Sequence, residues 1–229
     1  PTLSKGIGYF DLNHHRGLRW YRGHFPLRLF ARLRTGGRAK AFESSGYYLF
    51  HPLAPERIAR DLPKVKIVVM VRDPAERAYS AHRHELVRGF ETEDFETALA
   101  LEEGRLAGEE DRIRTEPGYE SHHHRHHAYQ ARSRYAPQIR RYLDLLGSDR
   151  VYVVDADRFF VDTAELSGLF AWLGLAPWLP EEVKQWNAQP RGPMPTATRE
   201  RLRAEFASDD EDLARIMGRT PSWVSAAEA

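Results

Sequence analysis

Cysteine is absent from the 229 residues, and lysine is scarce: Lys5, Lys40, Lys64, Lys66 and Lys184 stand against 29 arginines. Without cysteine there is no disulfide scaffold, iron-sulfur cluster or Cys-ligated zinc site. No apolar run approaches the roughly 18 residues of a spanning helix, so a soluble chain with no membrane segment is expected. An excess of one charge is also lacking. With 34 basic against 33 acidic residues the net charge is +1, which gives no global field to draw duplex nucleic acid or an anionic membrane. Any anion site must come from local geometry. What is present, 41% hydrophobic and 29% charged residues, suits a globular chain and excludes a disordered polyelectrolyte. Arginine forks match phosphate and carboxylate. The same bias is left by a G+C-rich bacterial genome, so a bacterial, cytoplasmic chain is expected, and no charged-then-apolar leader follows Pro1.

The length fits one domain, residues 1–229, with a sizeable core. Lys66-Ile67-Val68-Val69-Met70-Val71 lacks polar alternation and predicts a strand buried on both faces of a parallel sheet. Asp73 then reads as an N-cap and Pro74 as the first helical residue of a helix running to about Arg88. A second strand is predicted at Val151–Asp155 and a weaker one at Ala39–Glu43. Helical periodicity marks Pro55–Leu62, Asp94–Leu106, Tyr129–Leu146 and Thr163–Leu173, with Tyr135, Ile139, Tyr142, Leu143 and Leu146 facing inward. Two short helices are expected at Thr198–Phe206 and Asp209–Met217, after a Pro- and Gly-rich loop at Gln189–Pro195. Strands alternating with helices predict an α/β class with a right-handed parallel sheet.

In such sheets ligands bind outside the carboxyl ends of the strands, where the first turn of the next helix offers N–H groups to an anion. Arg72 stands at that edge, and Ser80 follows two turns into the helix. A phosphate gripped there would gain about 1.5 to 3 kcal/mol per charge-assisted hydrogen bond and about 0.3 to 1 from the helix dipole. The alternative is a structural Arg72 paired with Asp73 or Glu76.

The segments Val71-Arg72-Asp73-Pro74 and Arg77-Ala78-Tyr79-Ser80 resemble the 3'-phosphate loop of sulfotransferases that use PAPS (3'-phosphoadenosine 5'-phosphosulfate). Lys5-Gly6-Ile7-Gly8-Tyr9-Phe10-Asp11, Arg16-Gly17-Leu18, Trp20-Tyr21 and Phe25-Pro26 resemble the early acceptor-side segment of the heparan sulfate sulfotransferase group and its bacterial relatives. Glu43-Ser44-Ser45-Gly46-Tyr47-Tyr48 is similar to their second-strand motif, Tyr135 with Gln138 to their long helix, and Asn187 with Pro190-Arg191-Gly192-Pro193 to the late loop over the donor. The resemblance runs from about Lys5 to Trp223.

It implies a P-loop-NTPase-like parallel sheet flanked by helices and in-line transfer of a sulfuryl group from PAPS to a hydroxyl or amine of a carbohydrate or small-molecule acceptor. Adenosine 3',5'-bisphosphate leaves, and no metal is needed. Arg72 and Ser80 inherit the grip on the 3'-phosphate, Arg191 and Gly192 a place beside it, and Lys5 and Glu43 a place near the acceptor. The family's first strand and Gly-rich, Lys-containing loop have no counterpart here, so an N-terminally incomplete domain of little activity is expected. Thr35-Gly36-Gly37-Arg38-Ala39-Lys40 reads as an ordinary turn. A noncatalytic carbohydrate- or nucleotide-binding module is the alternative. Where the family carries a glutamate and a histidine, this chain has Gly6 and Gly8. Asp11, His14 and His15 are therefore the candidates for moving the acceptor proton, with a cap, an Arg16 partner or a solvated loop as their other readings. The cluster His122, His123, His124, His126 and His127 has helical metal-ligand spacing, but reads as an irregular approach to the Tyr129 helix whose partial protonation attracts an anionic acceptor.

Overall fold

The structure is a computed structural model and describes residues 6–27, 30, 33, 36–37, 40–178 and 192–225. Its helices are α1 (Gly17–Arg22), α2 (Ala54–Asp61), α3 (Pro74–Val87), α4 (Phe95–Leu106), α5 (Glu109–Thr115), α6 (His122–His126), α7 (Tyr135–Leu146), α8 (Ala156–Phe159), α9 (Thr163–Leu173), α10 (Thr196–Met217) and α11 (Ser222–Ser225). Strands β1 (Ile67–Val71) and β2 (Val151–Asp155) pair in parallel, Ile67 opposite Val151 and Val71 opposite Asp155. A parallel pair needs a long crossover, here supplied by α3 to α7. This is the α/β class expected, with both strands where the apolar runs lie. No described helix is long and apolar enough to cross a membrane.

One face of β1 differs from expectation. Val69 and Val71 are buried, but Val68 is 40% and Met70 48% exposed. The unbroken apolar run is therefore not a strand covered on both faces among the described residues. The covered face joins Tyr9, Phe10, Tyr21, Ile58, Ile139, Tyr142 and Leu213 in one cluster. A second cluster gathers Ala75, Ala78, Phe95, Leu99, Tyr129, Leu202 and Phe206 between α3, α4 and α10.

Three further expectations are corrected. Residues 40–45 carry no strand; side chains join this stretch to residues 7–8 instead, the Ile7 N–H donating to Glu43 Oε2 (3.1 Å) and the Gly8 N–H to Ser45 Oγ (3.2 Å). The helix expected from Tyr129 begins at Tyr135, after a 3-10 turn at Ala131–Ser133. Before it, Glu102 takes the Gln130 and Ala131 amides, each at 2.8 Å, and holds the turn. Finally, the two short C-terminal helices are one, Thr196–Met217. Neither Gly nor Pro interrupts it, and its middle is held by Arg134 on Asp209, Arg140 on Asp212 and Trp223 Nε1 on Asp210.

Candidate functional site

The segment expected to meet the donor begins where β1 ends. Asp73 caps α3 as expected, its Oδ1 accepting from Ala75 (2.9 Å) and Glu76 (3.1 Å), with Pro74 at the first position. This corrects one expectation: the first-turn amides that were to meet an anion already have the Asp73 carboxylate. Arg72 is different. It is half-buried, and among the described residues it makes no ion pair, so the pairing with Asp73 or Glu76 does not occur. Asp73 is bonded instead to Arg203 (3.4 Å) and Glu76 to Arg199 (2.8 Å), both reaching over from α10. Ser80, seven residues after Asp73, lies on the same face of α3 as Asp73 by helical geometry, and its hydroxyl has no hydrogen-bond partner among the described residues. The Arg72 charge reaches Asp157, whose carboxyl is raised by burial and opposed by that guanidinium. Gly192 is exposed; Lys5, Asn187 and Arg191 lie outside the described residues.

Glu43, expected near the acceptor, is held by hydrogen bonds. Its Oε2 accepts from Ile7 and from Ser45 Oγ (3.1 Å), and its Oε1 from the Tyr48 hydroxyl (2.8 Å). The loop before it is tightly threaded: Gly6 has φ +75°, and a Cβ there would stand 2.7 Å from the Ser44 carbonyl. A side chain at that position does not fit, so the glycine is demanded by packing. Asp11 lines a small cleft with Tyr47, His51, Tyr119, Ser121 and Arg125. Burial pushes its carboxyl up and the nearby Glu43 charge adds to this, while the Leu12 amide and Arg125 oppose it. Arg57 fixes the loop by donating to the Phe10 and Asp11 carbonyls (2.9 and 3.1 Å).

The two histidine candidates go elsewhere. His14 Nε2 is 3.0 Å from Asp61 Oδ2 at the end of α2, with Arg60 beside it. His15 is exposed. Of the three candidates for proton transfer, Asp11 alone lines the cleft.

The histidine cluster is a helix, α6, rather than an irregular approach, and its nitrogens point to protein partners. His124 Nδ1 shares a 2.6 Å hydrogen bond with the Tyr47 hydroxyl, and its ring stacks on Phe50. His126 meets Glu85 (2.9 Å), His127 the Phe90 carbonyl (2.7 Å) and His123 the His127 ring (2.8 Å). Burial pushes His122, His124 and His127 down, His124 to about 4. These three are neutral at pH 7 and do not provide the positive field expected of them. Among the described residues no group of three His, Asp or Glu is arranged to hold a metal. The cationic groups near the cleft are Arg125 and Arg132, 5.9 and 5.5 Å from the Tyr47 ring centre. Neither stands out in the sequence, because two arginines among 29 carry no local motif.

No family model matches the chain. Bifunctional heparan sulfate N-deacetylase/N-sulfotransferase 2 of Bos taurus is 26% identical over 187 residues, which is 78% of this chain and 19% of that protein. Bifunctional heparan sulfate N-deacetylase/N-sulfotransferase 3 of Homo sapiens is 38% identical over 86 residues, 37% of this chain and 9% of that protein. The chain thus spans at most about a fifth of the length of these curated relatives. The crystal structure of a sulfotransferase from Alicyclobacillus acidocaldarius superposes with a TM-score of 0.66 at 30% identity, covering 96% of this chain and 79% of that one. With the fold, the Arg72–Ser80 segment and a relative of this identity and coverage in agreement, the chain belongs to the sulfotransferase family.

Proposed function

We propose that residues 1–229 belong to one sulfotransferase-type unit that moves a sulfuryl group from PAPS to a hydroxyl or amine of a carbohydrate or small-molecule acceptor, and that these residues alone turn over little, because the Gly-rich, Lys-containing loop of the family has no counterpart among them. The observation that carries this reading is the half-buried Arg72 guanidinium at the end of β1, without an ion pair among the described residues. Two turns into α3, on the face of Asp73, Ser80 offers a hydroxyl. A cation before the helix and a hydroxyl along it suit the charge and hydrogen-bonding needs of a phosphate monoester, and this supports assigning them to the 3'-phosphate of the donor. Gly192 and Arg191 belong to the loop assigned beside it, and Lys5 with Glu43 to the acceptor side.

The acceptor oxygen forms a bond to sulfur as the bond from sulfur to the 5'-phosphate oxygen breaks, and the acceptor proton must go to a base. Asp11 takes that role here. Its carboxyl is raised by burial, which brings its basicity closer to neutral pH, whereas His14 is tied to Asp61 and His15 is exposed. Glu43, bonded on both oxygens, holds the acceptor loop in register. Charge developing on the leaving phosphate needs cations nearby, a need the arginine-rich site can meet.

Calorimetry with adenosine 3',5'-bisphosphate tests the assignment. Arg72→Ala should weaken binding by about 10- to 100-fold, the equivalent of one charge-assisted hydrogen bond of about 1.5 to 3 kcal/mol, and Ser80→Ala by a smaller factor. Unchanged affinity in Arg72→Ala would overturn the donor site.

A further inference from the structure

Arg72 has two carboxylates as near neighbours in sequence, Asp73 and Glu76, yet carries no ion pair among the described residues. Chain neighbours of this kind do pair elsewhere in the protein, for Arg60 Nε meets Asp61 Oδ1 at 2.8 Å. At Arg72 a distant helix holds both carboxylates instead. On α10, Arg199 and Arg203 are four residues apart and share a face. At the start of α3, Asp73 and Glu76 lie one turn apart. Two side-by-side bridges join them, Arg199 Nη2 at 2.8 Å from Glu76 Oε1 and Arg203 Nη2 at 3.4 Å from Asp73 Oδ2. Apolar contact keeps the helices in that relation, with Leu202 and Phe206 of α10 packed in one cluster with Ala75 and Ala78 of α3, all four fully buried.

Asp73 is the carboxylate next to Arg72 in the chain, and its two oxygens have separate tasks. Oδ1 accepts from the Ala75 and Glu76 amides at 2.9 and 3.1 Å, which makes the cap. Oδ2 is left for a cation and takes Arg203. The Arg203 side chain has no other hydrogen-bond partner among the described residues, so nothing there draws it away from Asp73. Without Arg203, a carboxylate that is only a tenth exposed would stand unmatched beside the Arg72 guanidinium. The pair formed by Arg60 and Asp61 shows the outcome open to it. An anion arriving at Arg72 would then have to displace Asp73 before it could bind.

We propose that Arg203 is a positioning residue for the donor: by occupying Asp73 Oδ2 from α10, it keeps the Arg72 guanidinium open to the 3'-phosphate without touching the nucleotide itself. This role rests on the reading of Arg72 as the grip on the donor.

The test is calorimetry with adenosine 3',5'-bisphosphate on the whole chain, at a temperature where circular dichroism shows the variants folded. Arg203→Met should weaken binding about two- to fivefold, the worth of the half-exposed ion pair that Arg72 gains with Asp73. Arg203→Gln is a second neutral variant, used in its place if Arg203→Met does not fold. Arg203→Lys keeps the charge and should bind close to wild type. Asp73→Asn keeps a capping side chain and removes the competing charge, so adding Arg203→Met to Asp73→Asn should cost no further affinity. A lost packing contact would instead weaken binding equally with either residue at position 73. Unchanged affinity in the neutral variants, a loss in Arg203→Lys as large as theirs, or the same loss in the Asp73→Asn background overturns the role. The last outcome would mean that Arg203 acts on the nucleotide directly or through packing. If Arg72→Ala binds the nucleotide as tightly as wild type, the donor site falls and this role with it. A weakened Arg72→Ala beside unchanged neutral variants of Arg203 sinks the role alone.

Discussion

His51 and His124 flank the Tyr47 side of the cleft, and burial pushes their imidazoles down to about 3 and about 4 from 6.5. In the unfolded chain both take up a proton near pH 6.5, whereas in the folded chain they resist it. Their stabilising effect is therefore complete above pH 6.5 and is lost as pH falls toward 4, at about 1.4 kcal/mol per pH unit for each. Urea midpoints measured from pH 7 to 4.5 should fall with that slope, and His124→Gln should flatten it; a variant with the wild-type slope would remove His124 from the transition. The residue scale is also where the sequence is least legible. Arg72 and Ser80 stand out because they sit in a motif with a physical reason for its spacing. The environment of Asp11 does not, since its burial depends on Tyr47, Tyr119 and Arg125, far along the chain.

Element by element, the strand, turn and helix from Ile67 to Val87 could be read directly. An apolar run, a capping aspartate and a proline act over a few residues, and the structure has them in those roles. Asp73→Ala should cost about 1 kcal/mol through the lost cap, seen as a lower urea midpoint with the helical spectrum retained; an unchanged midpoint would show that α10 alone holds the start of α3. The helix from Tyr135 illustrates the opposite case. Its periodicity predicted the inward residues well, for Tyr135, Ile139, Tyr142 and Leu146 are all buried. Its start was hidden, because the turn before it is held by Glu102, which lies on another helix.

At the scale of the whole molecule, α10 ties the two hydrophobic clusters together. Leu202 and Phe206 pack among α3 and α4 residues, while Leu213, farther along the same helix, packs in the cluster on the sheet. One rigid helix spanning both predicts a single unfolding unit. Phe206→Ala should destabilise the protein by about 3 to 5 kcal/mol, with circular dichroism and tryptophan fluorescence shifting together; separation of the two transitions would mean that the clusters unfold independently. Asp155, fully buried, adds a second tie by accepting from the Ser222 amide (2.8 Å) and hydroxyl (3.0 Å).

The sequence by itself determined the α/β class, the positions of both strands, the capped helix after β1 and the family to which its phosphate-loop motif points. Each of these rests on interactions within a few residues or on apolar periodicity, which survive in one dimension. Only the tertiary structure decided that Arg72 is left without an ion pair among the described residues and that Asp11 rather than His14 lines the cleft. Partnership and desolvation are set by which distant side chains arrive at the same place, and no local pattern records that.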